Sequence, residues 1–341
     1  MIYILIALLS FILVLFLVPI NKKFSILIGS IDTPIARSTH KKPTPKSGGI
    51  SILLALIIVV SLLIFFELLS LNKLLLGLLI GGVLVVLLGV FDDLKDVSPW
   101  QKIVFEIIIA LTVYYFGFKI DLVTNPFGSP IDIGALSLPV TVLWFLLIMN
   151  SINLIDGLDG LAVGVVAIVA IIIGLSGVWC GRNFVAYLSF ALVGVSLGFL
   201  RYNFYPAKIF LGDAGSLFLG FLIAALSVAG NTQFKGATAL TLLIPIIVLS
   251  FPLIDTIHAV FRRLKTPDSI FKADKKHLHH KMLEIGLPYK TVVYIGYFIT
   301  CLFGLIAVGF LLLDRKVLFS IIVIIGLIIF LIFYHIIKRE L

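Results

Sequence analysis

The chain has 341 residues, 61% of them hydrophobic and 13% charged, with a net charge of +9 and a mean hydropathy of +1.23. That composition excludes a soluble globular domain. Apolar runs able to cross a ~30 Å hydrocarbon core, which takes ~20 helical residues, recur throughout, so the sequence predicts a single all-α polytopic membrane domain over residues 1–341.

In chain order, hydropathy and helix breakers predict about eleven helices. They fall near 1–18, 48–69, 74–91, 99–118, 139–155, 160–178, 184–200, 214–229, 237–262, 291–313 and 316–337. The first run has no basic leader and no small-residue cleavage site before Pro19 and Asn21-Lys22-Lys23, so it is expected to be a retained helix. The fourth opens on Ser98-Pro99-Trp100-Gln101, which offers an N-cap serine, a proline at the first helical position and a capping-box glutamine. Cys180 and Cys301 are single and far apart, which suits small apolar residues better than a disulfide or thiolate site.

Six of the 26 lysines and arginines (Lys73, Lys119, Arg182, Lys235, Arg315 and Lys316) fall on one set of alternate loops, and the other 20 fall on the opposite set. The positive-inside rule then places the N-terminus outside and the C-terminus in the cytoplasm. Topology and attraction to anionic lipid thus account for the net charge, and nucleic acid is not an expected partner. Under this topology Asp92, Asp93, Asp96, Asn150, Asn153, Asp156, Asp159, Asn203, Asp213, His277, His279 and His280 all gather on the cytoplasmic side. The loops 19–47, 92–101, 155–160, 201–213 and 263–290 are therefore expected to form a site reached by a soluble substrate from one side and a lipid from the other.

Four constellations carry the chemistry. In "FDDLKD", Asp92, Asp93 and Asp96 crowd together beyond an apolar helix, where mutual repulsion and the negative helix end call for a nearby cation; a solvated acidic loop is the plain alternative. In "MNSINLIDGLDGLA", Asn150, Asn153, Asp156 and Asp159 recur every third residue, with Gly157 and Gly160 to let the chain bend. Such oxygens suit a hard cation or a nucleoside, and a polar helix end is the alternative. In "FLGDAGSLFLG", Asp213 is expected as an N-cap beside backbone amides that could hold Mg²⁺ and phosphate together, or as a cap alone. In "DKKHLHHKMLEIG", His277, His279 and His280 stand among lysines as a cationic phosphate patch or a lipid-headgroup loop; their spacing matches no common zinc motif. A basic loop, "RSTHKKPTPKSGGI", adds cations for either phospholipid or a phosphorylated substrate.

Together and in this order, "TPKSGG", "FDDLKD", "NSINLIDGLDGLA", "FLGDAGSLFLG" and "HLHH" resemble the polyprenyl-phosphate N-acetylhexosamine-1-phosphate transferase superfamily, glycosyltransferase family 4. The resemblance implies transfer of a sugar-1-phosphate from a UDP-sugar to a membrane polyprenyl phosphate, with release of UMP and with Mg²⁺, for which Mn²⁺ could substitute. It implies that Asp213, joined by Asn153, binds the metal, and that Phe210, Asn203, Asp156 and Asp159 surround the nucleoside. Lys102 and His277, His279 and His280 would contact the diphosphate, and Asp92 and Asp93 match the aspartate pair at the reacting centre. Lys41, Lys42, Thr44, Arg262 and Arg263 are further candidate substrate contacts.

"HLHH" after "DKK" and "FLRYN" before the metal motif are more similar to the branch using UDP-N-acetylglucosamine (WecA and TagO type) than to the MraY type that makes the muramoyl-pentapeptide lipid. Undecaprenyl phosphate and UDP-N-acetylglucosamine are then the expected substrates, in an inner (cytoplasmic) membrane enzyme that could assemble as a homodimer. The product would initiate a cell-envelope polysaccharide such as O-antigen or teichoic acid. A transporter or lipid flippase is the competing class, because intramembrane polar residues also mark transport paths. Such sites lie near the bilayer midplane between repeats, however, and no internal repeat is visible here.

Overall fold

The computed structural model describes residues 1–34, 42–123, 131–229 and 282–312. Within them the chain forms α1 (Ile2–Leu27), α2 (Gly49–Phe65), α3 (Lys73–Lys95), α4 (Pro99–Tyr115), α5 (Ser137–Ile155), α6 (Leu161–Trp179), α7 (Asn183–Asn203), α8 (Gly212–Val228) and α9 (Tyr289–Leu312). Two antiparallel strand pairs, Ile31–Asp32 with Thr44–Pro45 and Leu122–Val123 with Ile131–Asp132, pin loops rather than build a sheet. Helices α1, α3, α5, α6, α7 and α9 are long and apolar enough to cross a membrane, and α2 and α8 are apolar but shorter. The protein is an all-α membrane protein. The helices expected at 237–262 and 316–337 lie outside the described residues.

Several boundaries differ from the sequence expectation, each for a packing reason. Helix α1 continues through Pro19 to Leu27, although Asn21-Lys22-Lys23 reads as loop. Asn21 and Ser25 extend the buried stripe of Val14 and Val18, and Asn21 donates to the Ser47 carbonyl at 3.0 Å. Residues 19–27 are thus helix and not loop. Helix α3 likewise runs to Lys95, so Asp92 and Asp93 occupy its final turns and only Asp96 leaves it, in a left-handed conformation with φ of 51°. Residues 201–203 belong to α7. The expected capping box of α4 is present: Ser98 Oγ accepts from Gln101 N while the Gln101 side chain accepts from Ser98 N.

Helix α8 is the axis of the bundle. Every residue from Ala214 to Val228 is buried, and the helix packs against α2, α3, α5 and α6. An internal helix in hydrocarbon must be held by close packing, because lipid is as apolar as its neighbours, and small residues allow that approach. Gly49 of α2 and Gly89 of α3 both meet the backbone of Ala214, where an added Cβ would overlap main-chain atoms. Further along, Trp144 Nε1 of α5 donates to Ser227 Oγ of α8 at 3.0 Å, which satisfies both polar groups inside the apolar core.

A Gly89→Ala replacement is expected to push α3 from α8 and cost about 1–3 kcal/mol, the usual range for overpacking. Unfolding midpoints in detergent measure this. Leu87→Ala, at a residue that is 61% exposed toward the surrounding lipid, should leave the midpoint nearly unchanged.

Candidate active site

The site begins with Asp93. From the last turns of α3 its carboxylate accepts from Ser47 Oγ (2.9 Å), from Asp213 N (3.0 Å) and from Ala214 N (3.4 Å). It therefore caps α8 from another helix, with negative charge at the positive helix end. Leu211, at the N-cap position of α8, has no side chain able to cap. Gly212 is needed between them, because its φ is +67° and a Cβ there would run into the Asp93 carboxylate. The expectation that Asp213 is the N-cap is corrected: it lies in the first turn of α8, which frees its carboxylate for another partner. Ser47 is itself fixed, by a 2.7 Å hydrogen bond with Ser30 Oγ and by Asn21 on its carbonyl.

That other partner is Lys102. The ammonium, one turn into the capped α4, bridges Asp213 Oδ2 and Asp92 Oδ2, the latter at 3.0 Å. Asp92 Oδ1 accepts from Val97 N at 2.8 Å. Asn153 of α5 completes the group: its amide nitrogen donates to Ser216 Oγ (2.8 Å) and Asp213 Oδ1 (3.1 Å), and its oxygen accepts from Lys102 Nζ (2.9 Å). Four residues from α3, α4, α5 and α8 thus form one mostly buried charged cluster.

The donor set fits a small hard cation. The Asn153 amide stands 3.1 Å from Asp213 Oδ1, and turning its oxygen to that side would set two oxygen donors near the ~2.9 Å edge of an Mg²⁺ octahedron with ~2.1 Å bonds. Among the described residues no three His, Cys, Asp or Glu side chains converge on one point.

A second layer shapes the turn Asp156–Gly160 and the loop between α7 and α8. Asn203 is buried, and its amide accepts from Gly160 N and donates to the Ile209 carbonyl, both at 3.1 Å. Asp159 Oδ2 accepts from Ala207 N at 2.9 Å, and its backbone N donates to Tyr289 Oη. Tyr297 donates to the Gly160 carbonyl at 2.7 Å, so α9 clamps this turn. Phe210 N donates to the Pro45 carbonyl (2.8 Å), and its own carbonyl accepts from Gly48 N (3.2 Å), which binds "TPKSGG" to the "GD" loop. Asp156 terminates α5; burial, then the charges of Asp213, Asp93 and Asp159, hold its carboxyl well above the ordinary carboxylate range.

The structure thus brings together Asp92, Asp93, Lys102, Asn153 and Asp213, with Asp156, Asp159, Asn203 and Phe210 in the adjoining turn and loop. Lys42 is exposed and Thr44 donates to the Lys42 carbonyl at 3.0 Å; neither hydrogen-bonds the cluster. Lys41, Arg262, Arg263, His277, His279 and His280 lie outside the described residues. Sequence reasoning missed Ser47, Tyr289 and Tyr297 as framing residues. The fully buried carboxylate of Glu106, four residues after Lys102 on α4, accepts from Asn150 Nδ2 at 2.6 Å. An acidic residue one turn from a site lysine inside an apolar helix was the available signal.

Comparison with known proteins agrees with this constellation. The model of "Glycosyl transferase family 4" matches residues 75–231, which run from the first turn of α3 through α8. A Bacillus subtilis protein described as "Probable undecaprenyl-phosphate N-acetylglucosaminyl 1-phosphate transferase" is 36% identical over 88% of this chain and 82% of its own. The Mycobacterium tuberculosis decaprenyl-phosphate N-acetylglucosaminephosphotransferase is 30% identical over 79% and 73% respectively. The Thermotoga maritima undecaprenyl-phosphate alpha-N-acetylglucosaminyl 1-phosphate transferase is 30% identical over 73% and 72%. With the matched region carrying the whole described cluster, the chain belongs to glycosyl transferase family 4.

Proposed function

We propose that this protein transfers N-acetylglucosamine-1-phosphate from UDP-N-acetylglucosamine to a polyprenyl phosphate, undecaprenyl phosphate in the first instance, and releases UMP. The observation that carries the reading is Lys102 set between Asp92 and Asp213 at one end of the bundle, within reach of Asn153. A half-buried ammonium beside a helix N-terminus, with carboxylates able to hold a cation next to it, suits phosphate chemistry. The relatives' names supply the sugar and the lipid.

Because a phosphate monoester has its second pKa near ~6, the lipid phosphate arrives largely ionised and gains little from a general base. Its oxygen attacks the β-phosphorus of the donor and forms the new P–O–P linkage. The bond from that phosphorus to the bridging oxygen breaks, and the electron pair leaves with UMP. In this reading Asp93 is a positioning residue, since its oxygens are engaged by Ser47 and the α8 amides. Asp92 orients Lys102, and Lys102 meets the negative charge of the diphosphate. Asp213 and Asn153 would hold Mg²⁺, or Mn²⁺ in its place, which when bound neutralises charge on the transferring phosphoryl group. Asp156 and Phe210 face the nucleoside, while Asp159 and Asn203 hold the turn that carries them.

The 20-to-6 distribution of basic residues supports a cytoplasmic site in the inner membrane, with the N-terminus outside and further helices at 237–262 and 316–337 completing a bundle of about eleven in one domain. His277, His279, His280, Arg262 and Arg263 are proposed as additional anion contacts, and Lys41, Lys42 and Thr44 as contacts at the rim.

Purified protein given UDP-N-acetylglucosamine, undecaprenyl phosphate and Mg²⁺ should release UMP and form the lipid-diphosphate sugar. No UMP from any UDP-N-acetylhexosamine would remove the enzyme reading, and UMP only from the muramoyl-pentapeptide donor would move the chain to the other branch. Asp213→Asn should lower turnover by about a hundredfold or more with the unfolding midpoint nearly kept. Asp93→Ala should lower the midpoint as well, through a loss of about 1–3 kcal/mol of stability, because two helix-end amides and a buried hydroxyl lose their acceptor.

Asp156 gives a pH test. Its raised carboxyl pKa means that folding is penalised once the group ionises, so the penalty is absent below the unfolded value and grows as pH rises. With divalent ions chelated, Asp156→Asn should therefore raise the unfolding midpoint at neutral pH, and the gain should vanish toward pH ~4.

A further inference from the structure

A second cationic feature lies apart from the cluster, where α7 ends. Arg201 and Lys208 flank an open cleft of about 280 Å³ whose remaining walls are Phe11 and Leu15 of α1 and the Tyr202 ring. Both basic residues are exposed, and among the described residues neither forms an ion pair. Neither has a place in the reaction derived above.

Hydrogen bonds tie the walls together. Tyr202 Oη donates to the Leu15 carbonyl at 3.0 Å, and Lys208 N donates to the Tyr202 carbonyl at 2.8 Å, so both faces of the cleft hold their spacing. Below it, α1 and α7 pack tightly where Gly198 meets the Phe11 carbonyl. Leu197, one turn before Arg201 on α7, is 43% exposed, and Ile12 and Phe16 of α1 are 47% and 71% exposed. The cleft is therefore basic at the mouth, where the membrane-spanning helix α7 stops, and both helices that wall it carry exposed apolar side chains of the kind lipid covers.

We propose that this cleft binds the headgroup of an anionic phospholipid, with its phosphate between Arg201 and Lys208 and an acyl chain along Leu197, Ile12 and Phe16. A guanidinium fork suits phosphate oxygens bidentately, and lysine adds a mobile point charge. Tyr202 presents its ring as wall, since its hydroxyl is already engaged; that amphipathic role suits the headgroup level. A free phosphate would leave the apolar floor unused, and a zwitterionic headgroup would bring a cation against two cations. The loop that carries Lys208 also supplies Ala207 N to Asp159 and Phe210 N to Pro45, so an occupied cleft would brace the backbone leading to Asp213.

The test counts lipids bound to the intact protein. Full-length protein in detergent is titrated with phosphatidylglycerol and analysed by native mass spectrometry beside Arg201→Gln/Lys208→Gln and a control, Lys22→Gln/Lys23→Gln. About fivefold per basic residue near anionic lipid leads us to expect the tightest phosphatidylglycerol to bind roughly thirtyfold more weakly to the first variant and unchanged to the control. Inorganic phosphate should not displace it, and phosphatidylcholine should not replace it. Equal binding by the variant, equal binding of phosphatidylcholine, or displacement by inorganic phosphate would each overturn the proposal. Should the double variant fail to purify, Arg201→Gln alone is expected to bind about fivefold more weakly, and unchanged binding there overturns it equally.

Discussion

The structure depends on one half-buried carboxylate at a helix end that is not its own. Asp93 reaches from α3 to the first amides of α8 and the hydroxyl of Ser47, so three separate segments meet on two oxygen atoms. An uncapped helix N-terminus inside apolar surroundings leaves donors without partners, and each such donor costs on the order of 1–3 kcal/mol. Asp93 removes that cost and sets the height of α8 against α3 and α2. The position of Asp213 in the first turn of α8 follows from that seating.

The glycines make the seating feasible. Gly49, Gly89 and Gly212 clear the space that α8's first turn and the Asp93 carboxylate occupy. Because Asp93 does the capping, Asp213 in the same turn can turn to Lys102 and Asn153. A helix start thus presents positive amide ends on its own axis and a carboxylate beside them. Lys102 is delivered by an independent device, the Ser98–Gln101 capping box, which fixes where α4 begins and hence which residue stands one turn in. Two capping events on different helices place opposite charges within bonding range.

Much of this was legible in the chain, and the exceptions have a common cause. The membrane class, the α4 cap and the residues of the cluster could be read from composition, from a local four-residue pattern and from ordered motifs. The ends of α1 and α3 could not, because Asn21 and Ser25 look like loop residues until Ser47, far along the chain, supplies a partner. The role of Asp213 was misread for the same reason: a carboxylate in the first turn of a helix is a natural cap unless another carboxylate already occupies that position. Tyr289 and Tyr297 gave no signal at all, since an aromatic residue in an apolar run reads as core.

The sequence by itself determined that this is a membrane protein with its acidic and amide groups gathered into a few ordered motifs, because hydropathy and helix caps are local properties. Only the tertiary structure decided what each member of the Asp92–Asp93 pair does. Successive residues on a helix point about 100° apart, so one carboxylate turns inward to the α8 amides and the other to Lys102. Which partner lies in each direction is set by the packing of α3 against α4 and α8, and no local pattern in the chain encodes it.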